Sequence, residues 1–247
     1  MSGWTRFEDG APRIGSEPGN IVDVLFTGFG IRLAQAPIGF CSVCLVTTPA
    51  GATVLVDTGL HQTREVVLTA LRRRGLDPED IDHVVLTHLH FDHCENAGLF
   101  TNAAVIVHDE ELAEAREHGD ADPYLADFWQ ELLAPCGIQP MSGSTLEIAP
   151  GVVVHHLPGH RRGQLGVAVD TTAGSVVCAS DVAKNAREIL LGQPPVSDPA
   201  LLEAARSSVA WLRATADIVV PGHDRPLLMV DGVPRWDESH DVLLTIY

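Results

Sequence analysis

Short runs of aliphatic and β-branched residues recur along the chain, and most of them end abruptly in polar or turn residues. In the first half they cover residues 21–26, 41–48, 53–56, 84–86 and 103–107. In the second they cover 145–148, 152–157, 165–170, 175–179 and 218–220. Many are apolar throughout rather than alternating, which predicts strands buried on both faces. Pro49-Ala50-Gly51, Pro150-Gly151 and Thr172-Ala173-Gly174 read as turns joining neighbouring strands. Helical spacing appears over about 63–74, where Val67, Leu68 and Leu71 share a face and Gly75 follows as a stop. Further helices are predicted near 95–99, 109–117 and 123–133. The last carries Tyr124, Phe128 and Trp129, read as core rather than as a substrate wall. Another begins after Asp198-Pro199, an N-cap followed by a proline at the first helical position. Residues 28–40 hold glycines and Pro37 and read as a turn or mobile hairpin. Two strand-rich halves, each closed by helices, predict an α/β fold of two sheets packed face to face.

The domain expectation is a loosely held N-terminal arm over 1–20, rich in Gly, Pro and charge, and one domain over 21–247. Net charge is −17, and Lys184 is the only lysine among 16 basic residues, which argues against a nucleic-acid partner. No apolar run approaches the ~18 residues of a membrane span. Residues 1–19 lack a basic stretch followed by an apolar core, so the cytoplasm is the expected compartment. Five scattered cysteines read as reduced thiols. Cys41 and Cys44 lie three apart in a strand-like run, face opposite sides, and read as packing residues.

Chemistry gathers where the strands end. Just beyond residues 84–86 come His88, His90, Asp92 and His93, three histidines and an aspartate within six positions. Imidazole nitrogens and carboxylates are the donors that divalent ions choose. Three later runs end in the same way, in His160, Asp181 and His223, with Pro-Gly turns before both histidines. Asp57 ends the run 53–56. The remaining histidines (His61, His83, His108, His118, His155, His156 and His240) read as surface or satisfied core positions.

The series His88-x-His90-x-Asp92-His93, then His160, Asp181 and His223, with Asp57 in Val-Asp-Thr-Gly upstream, resembles the metallo-β-lactamase fold superfamily. That resemblance implies an αββα sandwich with a two-metal site at one edge of its sheets. It implies that His88, His90 and His160 hold one ion, that Asp92, His93 and His223 hold the other, and that Asp181 bridges them. Asp57 would hydrogen-bond a ligand or nearby backbone. Two divalent ions are expected, zinc first, with manganese or iron as alternatives. A bridging hydroxide would attack the substrate, and Asp92 would pass the proton on.

Departures from the branches of the family narrow the expected function. Asp181 argues against a dedicated β-lactamase, His90 against flavodiiron relatives, and the acidic charge against nucleases. A lactonase or glyoxalase II-like hydrolase of a small ester, lactone or thioester remains. N-acyl homoserine lactonases carry a tyrosine three residues beyond the bridging aspartate, whereas this chain has Lys184 there. Lys184 and Arg161 are candidate groups for an anionic substrate. Alternatives are a mononuclear iron sulfur dioxygenase of the same fold, a phosphodiester or β-lactam hydrolase, and a non-catalytic metal-binding module. Residues 28–40, 120–140 and 184–196 are the expected walls of the small-molecule site. The oligomeric state stays open, a homodimer included.

Overall fold

The computed structural model describes residues 4–32, 37–118, 121–125, 128–192, 194, 196 and 198–236. The first half contains β1 (Trp4–Arg6), β2 (Pro12–Ile14) and β3 (Ile21–Phe26), then a separate hairpin of β4 (Phe29–Arg32) and β5 (Pro37–Phe40). β6 (Val43–Thr47), β7 (Thr53–Val56), α1 (Arg64–Arg73), β8 (His83–Val85) and the short α2 (Phe91–Cys94) follow. β9 (Ala104–His108), α3 (Asp109–His118), α4 (Trp129–Leu133) and β10 (Gly137–Met141) complete it. Its main sheet runs β1-β2-β3-β6-β7-β8-β9-β10. Strands β7 to β10 pair in parallel and the others antiparallel.

The second half opens with β11 (Thr145–Ala149), β12 (Val152–His156), β13 (Leu165–Thr171) and β14 (Gly174–Ser180). Helices α5 (Ala186–Leu191) and α6 (Leu202–Thr215) then cross to β15 (Ile218–Pro221), β16 (Leu227–Val230) and β17 (Val233–Trp236). These strands form one sheet in sequence order, and only β14 and β15 pair in parallel.

The unbroken apolar runs have a direct packing consequence. Along β6, Val43 and Leu45 enter the core beneath α1, while Cys44 and Val46 enter the core between the sheets. Val84 and Leu86 against Val85, and Val105 and Val107 against Ile106, divide in the same way. In the other sheet Val176 and Cys178 face inward, while Val177 and Ala179 meet Ile189 and Leu212 of α5 and α6. Each strand thus separates two dry layers, and the layer order is αββα. Cys41 and Cys44 fall in different cores, and all five thiols are free. Among the described residues no helix is long and apolar enough to cross a membrane.

Several elements differ from the sequence expectation. Part of the expected N-terminal arm is sheet, because Trp4 and Ile14 bury their side chains between the sheets and Arg13 pairs with Asp23 at 3.0 Å. The helix expected over 123–133 is confined to α4 among the described residues. Of its aromatic residues Trp129 is buried, while Tyr124 and Phe128 are exposed. A helix begins at Phe91, inside the His/Asp motif, and 95–99 holds only a single turn over Ala97–Leu99. β16 and β17 are short strands with half-exposed positions, which blurs their apolar pattern.

Candidate metal centre

Five strands end at one edge of the sandwich, and each delivers a polar group there. β7 leads to Asp57, β8 to His88 through His93, β12 to His160, β14 to Asp181 and β15 to His223. His90 has extended backbone and caps α2, so Asp92 and His93 sit in its first turn. Gly222 is required by close approach: a Cβ there would overlap Asp181 Oδ1 and press on the Ser180 backbone.

The side chains converge around Asp181. Its Oδ2 lies 3.2 Å from His160 Nε2 and 4.0 Å from His88 Nε2. Its Oδ1 lies 3.2 Å from His223 Nε2 and 3.6 Å from His93 Nε2. His90 Nδ1 is 3.1 Å from His160 Nε2. Asp92 Oδ2 is 3.5 Å from His93 Nε2 and 3.6 Å from His223 Nε2. Donor atoms of His88, His90 and His160 therefore cluster on one side of Asp181, and those of Asp92, His93 and His223 on the other. His88 Nε2, His93 Nε2 and Asp181 Oδ1 are buried without a hydrogen-bond partner. Buried polar atoms ordinarily have partners, and this imidazole and carboxylate set fits divalent cations.

The electrostatics follow from crowding. Burial opposes charge on Asp181, yet Lys184, His223, His93 and His160 together hold its pKa well below the carboxylate range. Burial and the neighbouring imidazoles push His88 well below its ordinary value. His160 is lowered too, by burial first. His93 goes the other way: burial disfavours its charge, but Asp92, Cys41, Asp57 and Asp181 outweigh it. His223 is raised against burial by Asp181 and Asp92.

Two carboxylates orient the imidazoles from behind. Asp57 Oδ2 lies 2.8 Å from His93 Nδ1 and accepts from Ser180 Oγ at 2.9 Å. Its Oδ1 accepts Thr87 N–H at 2.8 Å and Thr87 Oγ1 at 2.9 Å. A carboxylate there takes the Nδ1 hydrogen and leaves Nε2 aimed at Asp181. Asp57 holds this post with a left-handed φ of 59°, and Ser180 with 48°. On the other side, Asp122 Oδ2 lies 3.2 Å from His90 Nε2 and leaves Nδ1 for the centre. Asp122 also accepts Tyr124 N–H and pairs with Arg161. Burial is outweighed there by His90, Tyr124 and Arg161, and its pKa falls far below the usual range. Its link to His90 spans 32 positions of sequence with no local signal, so a reading by spacing misses it.

Lys184 and Arg161 part company. Lys184 Nζ stands 3.0 Å from Asp181 Oδ2, and its side chain is 30% exposed. Arg161 is buried, held by Glu111 at 3.1 Å, Glu114 at 3.4 Å and Asp122. Its guanidinium ties these three acids together behind His90. Glu111 in turn accepts Leu89 N–H at 2.9 Å, so this network grips the motif backbone as well.

Of the expected walls, the β4–β5 hairpin crosses the His223 side. His223 Nδ1 lies 3.1 Å from Phe40 O, and a Cβ on Gly39 would meet the His223 ring. Phe29 and Phe40 rings pair at 4.9 Å, and Tyr124 lies 5.5 Å from His90 on the opposite rim. Parts of all three walls, together with His240, lie outside the described residues. His155 packs on Trp211, and His108 and His156 stack on each other away from the centre.

An αββα sandwich with a His/Asp cluster at the strand ends defines a class of proteins built to hold divalent cations between two sheets. The family model described as the metallo-beta-lactamase superfamily matches residues 36–223, and the chain belongs to that family. Human metallo-beta-lactamase domain-containing protein 1 is 39% identical over 177 residues, 70% of this chain and 58% of that protein. The chain thus spans about three fifths of that relative's length. An N-acyl homoserine lactonase of Bacillus thuringiensis is 30% identical over 165 residues, 64% of this chain and 62% of that one. Among solved structures, AidC, a dizinc quorum-quenching lactonase in complex with a product, matches with a TM-score of 0.66. It is 13% identical, over 88% of this chain and 93% of the other, a likeness of fold.

Proposed function

We propose that this chain is a metal-dependent hydrolase with a two-cation centre, cleaving a small ester, lactone or thioester. One observation carries the reading. Each oxygen of Asp181 faces a different set of imidazoles, and the cluster contains buried donor atoms with no hydrogen-bond partner. His88, His90 and His160 would hold one cation, Asp92, His93 and His223 the other, and Asp181 would be shared. Such a pair, zinc before manganese or iron, supplies Lewis acidity and a water that ionises near neutral pH. The likeness to lactonases supports ester-type chemistry.

The chain's own groups do the rest. Asp92 is 12% exposed at the rim, placed to accept a proton and return it to the leaving oxygen or sulfur. Asp57 and Asp122 keep His93 and His90 in one tautomer and one orientation. Burial works against charge on Lys184, but Asp181 outweighs it, so an ammonium is available to an oxyanion or a substrate carboxylate. Tyr124, 5.5 Å from His90, offers an apolar face to a small acyl group.

The test is to count metals in the purified chain and screen lactones, thioesters, phosphodiesters and β-lactams with wild type and Asp92→Asn. Two ions per chain are expected. Turnover should appear in one ester-type class and fall about 10²–10⁴-fold in the variant at matched metal content. Equal turnover by both proteins on every substrate overturns the role of Asp92, and one iron per chain favours the dioxygenase instead.

A further inference from the structure

A second cluster lies where the two sheets meet beyond the centre. His108 ends β9 of the first sheet, His156 ends β12 of the second, and Glu110 sits in the first turn of α3. One donor atom from each lies within 4.8 Å of the other two. The imidazoles stack with centroids 3.8 Å apart and planes 14° apart.

The hydrogen bonds fix which nitrogens are free. His108 Nε2 lies 3.1 Å from Gly143 O, and His156 Nε2 lies 2.7 Å from Arg162 O. Carbonyls only accept, so both Nε2 atoms carry the hydrogen and a neutral ring keeps its lone pair on Nδ1. Burial first and His156 second hold the pKa of His108 below its ordinary value, so this ring is neutral near pH 7. His108 Nδ1 accepts Glu110 N–H at a long 3.2 Å, and Glu110 itself is exposed. The pair therefore offers one unoccupied lone pair, on His156 Nδ1, a second on His108 Nδ1 that only the long Glu110 N–H contact occupies, and the exposed Glu110 carboxylate. None of them belongs to the Asp181 cluster.

We propose that His108, His156 and Glu110 form a separate site for a borderline divalent cation such as zinc, one that ties the two sheets together. Two imidazoles and a carboxylate are a ligand set that zinc accepts, with water completing the shell. Parallel lone pairs do not converge, so binding turns the half-buried His156 out of the stack and exchanges its Nε2 bond to Arg162 O for one to water. At His108 Nδ1 the ion replaces Glu110 N–H, which is free to bond water at the exposed start of α3. The ion then clamps β12 to the helix that carries Glu111 and Glu114.

The test is zinc titration of the full chain, with thermal unfolding, on wild type, Glu110→Gln and His156→Gln. Wild type should bind one equivalent more than either variant, or bind that equivalent at least tenfold more tightly. It should also gain more melting temperature from zinc, while the equivalents of the Asp181 centre are retained in all three. Glu110 is exposed, so its variant decides the matter even if His156→Gln folds poorly. Zinc-edge anomalous scattering should place the extra ion between His108 and His156. Equal stoichiometry and affinity in all three proteins, or zinc found there only at crystal concentration, overturns the site.

Discussion

The two sides of the centre are braced by the same device built in different materials. His93 is backed by Asp57, 1% exposed and locked between Thr87 and Ser180 at the ends of two central strands. His90 is backed by Asp122, 16% exposed, on a connecting segment that Arg161 ties to α3. The first brace is part of the core, and its partners are lost only if the sheets separate. The second hangs on side-chain ion pairs gathered around the buried Arg161, with Asp122 at their more exposed end. The contrast teaches that orientation and stability are joined at one side of the site and separable at the other.

Substitutions can break that contrast. Asp57→Ala should do the most damage, removing acceptors from Thr87, Ser180 and His93 in a water-free site and placing alanine at a left-handed φ. A loss of about 3–5 kcal/mol in stability is expected, together with loss of metal at the His93 side, read by denaturant unfolding and metal analysis. Asp57→Asn, which tolerates that backbone, should recover part of the stability. Asp122→Asn should separate the two roles: metal affinity falls about 10–100-fold while stability drops by clearly less than in Asp57→Ala. Equal loss of stability in the two aspartate variants would erase the distinction.

The smallest effect concerns protons. In the cation-free chain His93 and His223 hold their protons above the ordinary histidine range, and a ligating imidazole must release them. Metal affinity should therefore rise with pH beyond ~6.5 and fall as pH drops through those raised values. Calorimetric titration in two buffers of different ionisation enthalpy should read the proton release. It should shrink when His223, the more exposed of the two, is replaced by Gln.

Much of this architecture was legible because local patterns carry it. A run such as Val84-Val85-Leu86 must be dry on both faces, and a polar cluster immediately after it must leave the sheet at its edge. The same logic applied to the strands before His160, Asp181 and His223, and Pro-Gly turns marked two of the exits. Residues 4–14 escaped because short edge strands owe their pairing to neighbours, not to their own periodicity. Asp122 carries no local signal, and the sequence offers Arg161 only as a group for an anionic substrate. Their partners lie 32 and 50 positions away.

The chain alone determined the long central strands, the layer order and the polar residues that end those strands, since apolar period and turn chemistry act over a few residues. Only the folded structure decided which oxygen of Asp181 meets which imidazole, which acid stands behind which histidine, and that His108 meets His156. Those choices depend on how segments distant in the chain dock, some of them across the seam between the sheets, and such contacts leave no trace in local spacing.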